Sequence, residues 1–468
     1  MTIAEDVDNL TTNDIAGMGA LLRQGATTPE ALLEAYLDRI ARHDGAVHSF
    51  LTVDADNARQ AARGAGEELR AGHDRGPFHG IPFALKDNVD TAGLRTTGHS
   101  RQDLERVPTK DATLVRYLRD AGGVLVGKTA TFEYAIGGPS WDLPFPPALN
   151  PWNTNHLPGG SSSGSGAAVG ARFVPAAVGT DTGGSVRWPA SMCGVTGLKP
   201  TYGLVSRTGV VPNTYSLDHC GPITASARDN AIMLGAMAGP DPVDPSSSGR
   251  KAEDYVAGLS GDIRGLRVGV VRNWYAEEAD PEITEATDEA VRVLAGLGAT
   301  IEQIDLGDLQ PYLDCKTLIS TAELYAVHEK NMKAHPEWFS KKLRERVLGG
   351  ALMRAEDYVH AMQWRTELAR KLLAPFARFD ILATAGWLGL PVLATEEGSD
   401  FFKRLRLITM PFSLSGNPAI VVPSGFSKSG LPMSFQLAGK PFDEATVLRC
   451  ADAYQRVTDW HRRVPTLA

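Results

Sequence analysis

The run Gly179-Thr180-Asp181-Thr182-Gly183-Gly184-Ser185 ends on a hydroxyl that a glycine turn leaves accessible. A tight glycine turn at a strand end exposes several backbone N–H groups together, which is what a developing oxyanion requires. Ser185 is therefore a candidate nucleophile; the plainer alternative is a capped turn in which its side chain accepts a backbone hydrogen bond. A hydroxyl does not attack a carbonyl at neutral pH without a base. His156 and His219 are the histidines near these segments, and nothing in the sequence orients either one. Lysine offers another route where desolvation lowers its pKa enough for a neutral fraction to exist. Lys86 fits, because it closes the apolar run Ile81-Pro82-Phe83-Ala84-Leu85 and precedes Asp87-Asn88. The alternative is a lysine emerging into solvent. A third segment, Gly159 to Gly166 (GGSSSGSG), is costly to order and without a function would be a flexible loop. Helix-compatible 167–172 and the strand-like run Phe173 to Val178 follow it at once.

The elements that must position these residues are legible in outline. Thr28, Pro29 and Glu30 read as a helix start, with Leu32, Leu33, Tyr36, Leu37 and Ile40 on one face, opening a helical layer that continues to about Arg70. Short apolar runs follow at Ile81 to Leu85, Gly123 to Val126, Phe173 to Val178, Leu266 to Val271, Asp380 to Ala383 and Ala419 to Val422, separated by helix-like segments. This alternation predicts the α/β class, a mixed or parallel sheet covered by helices on both faces. The punctuated stretch Gly239 to Gly249 reads as a surface loop rather than a linker between lobes.

Composition narrows the partners. The 468 residues are 43% hydrophobic and 22% charged, ordinary for a globular chain with a large core. The net charge of -8 is spread along the chain, with no basic block to draw in nucleic acid or an anionic membrane. The N-terminal MTIAEDVDNL lacks the basic start and apolar core of a signal peptide, and no run reaches membrane-span length, so a cytoplasmic protein is expected. Cys193, Cys220, Cys315 and Cys450 form no CxxC pair and read as buried free thiols. The 11 histidines show no HExxH spacing, and neither a metal nor another cofactor is expected.

Two motifs compete with this chemistry. Gly122 to Thr129 (GGVLVGKT) matches the phosphate-loop pattern, yet Gly123-Val124-Leu125-Val126 is apolar and β-branched enough to be the strand itself. Gly160-Ser161-Ser162-Ser163-Gly164 matches the GxSxG nucleophile elbow with Ser162 at its centre. The elbow needs an apolar strand leading into it, whereas Asn153 to Pro158 is turn chemistry.

Taken together, GIPFALKDNVD, PGGSSSGSGAAVGA and GTDTGGSVRWPAS resemble the three catalytic segments of the amidase signature family, the Ser-cisSer-Lys amidohydrolases. Lys86 precedes Ser161 by 75 residues and Ser161 precedes Ser185 by 24, as the family pattern requires. The likeness extends over nearly the whole chain, through CGVTGLKPTYGLVSRTGVVP, SLDHCGPIT, NPAIVVPSG and LPMSFQLAGK. It implies an α/β/α sandwich around a large mixed β-sheet, one domain over 1–468. Within it lie an N-terminal helical layer (1–75), a catalytic core (76–230), a helical insertion or cover (240–380) and a C-terminal sheet and helix return (380–468). It also implies that Ser185 is the acylating nucleophile, that Ser161 after a cis peptide bond is the bridging serine, and that Lys86 is the terminal base. The N–H groups of Thr182, Gly183, Gly184 and Ser185 would form the oxyanion hole. Asp181 and Arg187 would brace the loop, and Ser162 and Ser163 would add supporting hydrogen bonds. Ser163 stands where many members have glycine.

Substrate choice falls to the loops around the catalytic turn. Tyr134, Gly137, Gly138, Trp141 and Phe145 are the expected pocket residues, with Trp387, Phe401, Phe402 and Phe412 in a second apolar stretch. The expected activity is hydrolysis of the C–N bond of a small amide-like substrate (an aryl or aliphatic amide, an ester or a carbamate) by a free-standing amidase. The alternatives are the amidase subunit of a tRNA-dependent amidotransferase and an inactive binding scaffold. The expected partner is that small molecule alone, with no nucleic acid and no membrane, and a homodimer is left open.

Overall fold

The computed structural model describes residues 10–395 and 408–467; Phe401 and Phe402 lie outside them. Helices α1 (Ile15–Arg23), α2 (Pro29–Val47) and α3 (Ala55–Arg70) occupy the N-terminal stretch. Thr28 caps α2 by accepting the Ala31 N–H at 3.1 Å, with Pro29 in the first turn where its missing N–H costs nothing.

One sheet carries eleven strands: β1 (Phe50–Val53), β2 (Pro82–Lys86), β3 (Val124–Thr129), β4 (Ala176–Asp181), β5 (Thr196–Lys199), β6 (His219–Thr224), β7 (Arg267–Val270), β8 (Thr300–Gln303), β9 (Ile381–Ala385), β10 (Ala419–Phe426) and β11 (Pro432–Ala438), in the spatial order β1-β3-β2-β4-β6-β5-β10-β11-β9-β7-β8. It is mixed: β2 runs parallel to β3 and β4, and β7 parallel to β8 and β9, while the β4-β6-β5-β10-β11-β9 pairs are antiparallel. The stretch 240–380 supplies β7 and β8 to this sheet besides its helices.

Side chains alternate between faces along a strand, and the two apolar clusters follow that alternation. Phe83, Leu85, Ala176, Val178, Ile420 and Val422 join the larger cluster, and the intervening Ala84, Ala177 and Val421 join the smaller one. Both faces are therefore covered, which is why the central strands read as unbroken apolar runs. The edge strand β8 is polar by contrast, reading TIEQ and largely exposed, which blunts pairing with another chain. No helix among the described residues is long and apolar enough to cross a membrane.

Candidate active site

The site lies where parallel strands β2 and β4 end side by side. Their register pairs Leu85 with Val178, so Lys86 closes β2 beside the residues that lead into the glycine turn. The carboxyl ends of parallel strands are where open α/β sheets gather loops and ligands. Lys86 is fully buried, and its ammonium donates to Ser161 Oγ at 2.8 Å and to Thr180 Oγ1 at 2.7 Å. Burial lowers its pKa to about 7, against the opposing pull of the Asp218 and Asp181 carboxylates.

Ser161 follows a cis Gly160–Ser161 peptide and opens the turn into α4 (Ser163–Gly170). The Gly/Ser run is held because other atoms occupy the space its missing side chains leave. A Cβ on Gly160 would lie 2.2 Å from the Phe132 ring, and one on Gly164 would lie 2.2 Å from the Ser49 carbonyl oxygen. Ser162 is fully buried, its Oγ accepting the Thr180 N–H and donating to the Thr180 carbonyl, both at 3.2 Å. That engagement removes it as an exposed elbow nucleophile. Ser163 donates to the Ala130 carbonyl at 3.4 Å.

The turn after β4 is organised by Asp181 and by Arg187, the first residue of α5 (Arg187–Cys193). Asp181 accepts the Gly184 N–H at 2.7 Å and the Val186 N–H at 3.2 Å, and pairs with Arg187 Nε and Nη2 at 3.0 and 2.9 Å. The other guanidinium protons go to the Thr409 carbonyl, Gln436 Oε1 and Ser413 Oγ, each at 2.8 Å, so all five are used. Burial alone would raise the Asp181 pKa; Arg187 outweighs it and holds the carboxyl well below the usual range. One expectation needs correction here. Of the four N–H groups expected at the oxyanion hole, that of Gly184 donates instead to Asp181. Thr182 is itself anchored through its hydroxyl to Asp218 at 2.6 Å.

Gly160, Ser161 and the run Thr182 to Ser185 line one cavity of about 600 Å3, within the usual range for small-molecule sites. Of the expected pocket residues, Gly137 and Gly138 line it. The other three do not. Tyr134 is core, its hydroxyl donating to Asp103 at 2.8 Å and its ring packed on His328 and Phe339. Trp141 is 54% exposed, and Phe145 packs on His99. Aromatic lining comes instead from Phe132, Trp188 and Trp387, the two tryptophans stacking at 4.9 Å and 8°. Trp387 belonged to the second apolar stretch, whereas Phe412 is fully buried in the core. Thr180, which holds Lys86, lay within the glycine-turn motif without being assigned a role, and Lys316 and Arg346, which line the cavity from helices remote in sequence, carried no motif that singled them out.

The competing residues resolve as structure. His219 is buried with Nδ1 against the Leu217 and Asp181 carbonyls, at 2.6 and 3.1 Å, and burial pushes its pKa well down. Lys128 of GGVLVGKT lies within β3, buried, donating to the Val89 carbonyl. The four cysteines are free and buried.

Comparison with known proteins places this geometry. The family model described as Amidase matches residues 31–448. The A subunit of a glutamyl-tRNA(Gln) amidotransferase from Roseiflexus sp. (strain RS-1) is 40% identical over 471 residues, covering 95% of this chain and 96% of that one. The A subunit of the Thermotoga maritima glutamyl-tRNA(Gln) amidotransferase has a solved structure with TM-score 0.79 and 33% identity, covering 93% of this chain and 94% of its own. A solved structure described as an unexpected vestigial protein complex, revealing the evolutionary origins of an s-triazine catabolic enzyme, superimposes with TM-score 0.90 at 31% identity, covering 97% of this chain and 100% of its own. These relatives correct the expectation of a small substrate as sole partner with no nucleic acid. Two are subunits by name, and the substrate they are named for is a charged tRNA.

Proposed function

Because this chain belongs to the amidase family, we propose that it hydrolyses a small amide at Ser185 as the amidase subunit of a tRNA-dependent amidotransferase. The observation that carries the chemistry is the buried Lys86 ammonium on Ser161 Oγ at 2.8 Å, in the cavity that Ser185 also lines. With Lys86 neutral, Ser161 passes its proton to Nζ and takes the Ser185 proton as Oγ forms its bond to the carbonyl carbon. The carbonyl oxygen, now anionic, is met by the N–H groups of Thr182, Gly183 and Ser185. Collapse breaks the C–N bond, the proton returns through Ser161 to the leaving nitrogen, and water then releases the acyl group from Ser185. The 40% identity to an amidotransferase subunit supports the assembly, in which the released ammonia serves a partner that holds the tRNA.

The test is co-expression with the neighbouring genes and assay of Glu-tRNA(Gln) conversion to Gln-tRNA(Gln). The expected result is a complex that converts it with an amide donor. Ser185→Ala should abolish donor-dependent conversion while added ammonium restores it. A second reading, a free-standing amidase, is favoured by the tryptophan-lined cavity and by the higher TM-score of the s-triazine relative. Amide turnover by the chain alone, with no co-purifying polypeptide and no tRNA conversion, would put that reading first.

A further inference from the structure

Behind Lys86 lies a second cavity, of about 90 Å3, that no step of the relay uses. Thr180, which accepts from the Lys86 ammonium at 2.7 Å, forms part of its wall beside Asn88, His219 and Cys220. Cys220 pairs with Thr180 in the β4–β6 register. At the rim stand half-buried Val210 and the 51% exposed Tyr215, where the cavity meets the surface. Asn213 lines this cavity and the catalytic one, and its amide is tied on both sides. Nδ2 donates to the Ala135 carbonyl at 2.8 Å, and Oδ1 accepts the Thr214 hydroxyl at 2.9 Å, which keeps the two spaces apart.

Three polar groups of this wall have hydrogen-bonding capacity that the protein leaves unused. Thr180 Oγ1 accepts from Lys86 and from Asn88 Nδ2 at 3.3 Å, and no acceptor for its own proton is found among the described residues. Asn88 Oδ1 and His219 Nε2 are buried without a hydrogen-bond partner. Because His219 Nδ1 faces two carbonyls, it carries the ring proton and Nε2 is an acceptor. One donor and two acceptors around a polar space suit water, which both accepts and donates. A water needs about 10–15 Å3 of room, and this cavity exceeds that several times over.

We infer that this cavity holds a short file of water that takes the Thr180 proton and gives Lys86 a route to solvent separate from the catalytic cavity. This rests on the relay proposed for Ser185, Ser161 and Lys86. Protonated Lys86 passes a proton from Nζ to Thr180 Oγ1 while the Thr180 hydroxyl proton moves to water. The excess proton leaves past Tyr215 to the buffer, and the amine is left neutral. The route matters when a leaving group carries no proton away. A departing amine takes back the proton that Lys86 holds, whereas nitrophenolate leaves as an anion and strands that proton on Lys86 beneath the acyl group. Lys86 must then lose it before serving as base for the water that releases the acyl group. On the catalytic side Ser161 has to accept from that water, so the way out is through Thr180.

The experiment compares p-nitrophenyl esters and primary amides of acetate and butyrate on the full chain with any partner subunit that purifies with it. The variants are Cys220→Leu, whose larger side chain fills the cavity, and Cys220→Ser, which leaves it open. Cys220→Leu should lower steady-state ester kcat by about 10-fold or more, part of what an acid–base group contributes. Nitrophenolate release in the first turnover and amide turnover should change little, and Cys220→Ser should match the wild type. A crystal structure of the wild type should show water bonded to Thr180 Oγ1, and one of Cys220→Leu should lack it. Equal loss on ester and amide would make Cys220 a packing residue and overturn the inference. Unchanged ester turnover with the cavity filled, or a wild-type cavity without water, would overturn it as well. Where Cys220→Leu does not fold, Val210→Phe at the rim takes its place. Failure of the wild type to turn over any ester or amide would instead strike the proposed relay.

Discussion

In the proposed relay Lys86 must be neutral while buried beside Ser161 and Thr180. An ordinary lysine, at 10.5, is almost wholly protonated at pH 7, and burial brings this one to about 7, so that a large neutral fraction is available to accept a proton. Activity should therefore rise with pH through about 7 and level off on the alkaline side. Lys86→Ala should lower amide turnover by ~10²- to 10⁴-fold, as general acid–base groups do. Ester turnover should fall less, because an alkoxide leaves without the proton an amine needs. Equal losses on both, with an unchanged pH profile, would make Lys86 structural. The same shift is a stability statement. The pKa is lowered on folding, so the folded state pays fully for the charge below about pH 7, progressively less up to 10.5, and nothing beyond. Lys86→Met removes that cost together with two hydrogen bonds. Its stability relative to wild type should be on the order of 4 kcal/mol more favourable at about pH 7 than near pH 10.5, measured by denaturant unfolding at both pH values.

At the scale of the element, β4 and the turn that follows it act as a unit. Asp181 at the strand's last position gathers the Gly184 and Val186 N–H groups and the Arg187 guanidinium, which fixes the loop from below. Gly184 has φ +131°, and a Cβ there would lie 2.3 Å from Thr409 Oγ1, the hydroxyl that donates to the Gly183 carbonyl at 2.7 Å. Gly184→Ala should therefore move the loop and the N–H groups beside Ser185. A loss of ~10²-fold in kcat, comparable to removing an oxyanion donor, with a modest change in KM is expected; wild-type kinetics from a folded Gly184→Ala would show that the loop is not under this constraint. These segments were legible in the sequence because strand, turn and functional group are contiguous there: Ile81 to Lys86, Gly159 to Gly166 and Gly179 to Ser185 each carry their own pattern. The far wall was not. Trp188 follows the turn directly, yet nothing local distinguishes a lining tryptophan from a core one. Lys316 and Arg346 reach the cavity only through the packing of helices over 100 residues away in the chain. Trp141 and Phe145 misled for the converse reason, since an aromatic on a proline-stiffened loop looks like a clamp whether or not the loop folds over the site.

For the whole molecule, the eleven-stranded sheet explains why three distant segments meet. With β2 and β4 parallel neighbours, both deliver their carboxyl ends to one place, and β6 runs back from it so that His219 pairs with Asp181. The charge spread argued against nucleic acid, whereas the relatives are named as subunits of a tRNA amidotransferase; in the proposed assembly this chain need not itself hold the tRNA. The central claim is that this assembly of strand ends activates one serine hydroxyl among all those in the molecule. It is tested most directly by treating the native protein with a fluorophosphonate, reading intact mass, and mapping the adduct by peptide sequencing, with Lys86→Ala and heat-unfolded protein alongside. The account predicts a single adduct on Ser185 in the native protein, slowed strongly in Lys86→Ala and absent after unfolding. An adduct on Ser162 with Ser185 unmodified, or no adduct on either in protein that turns over amides, would contradict it.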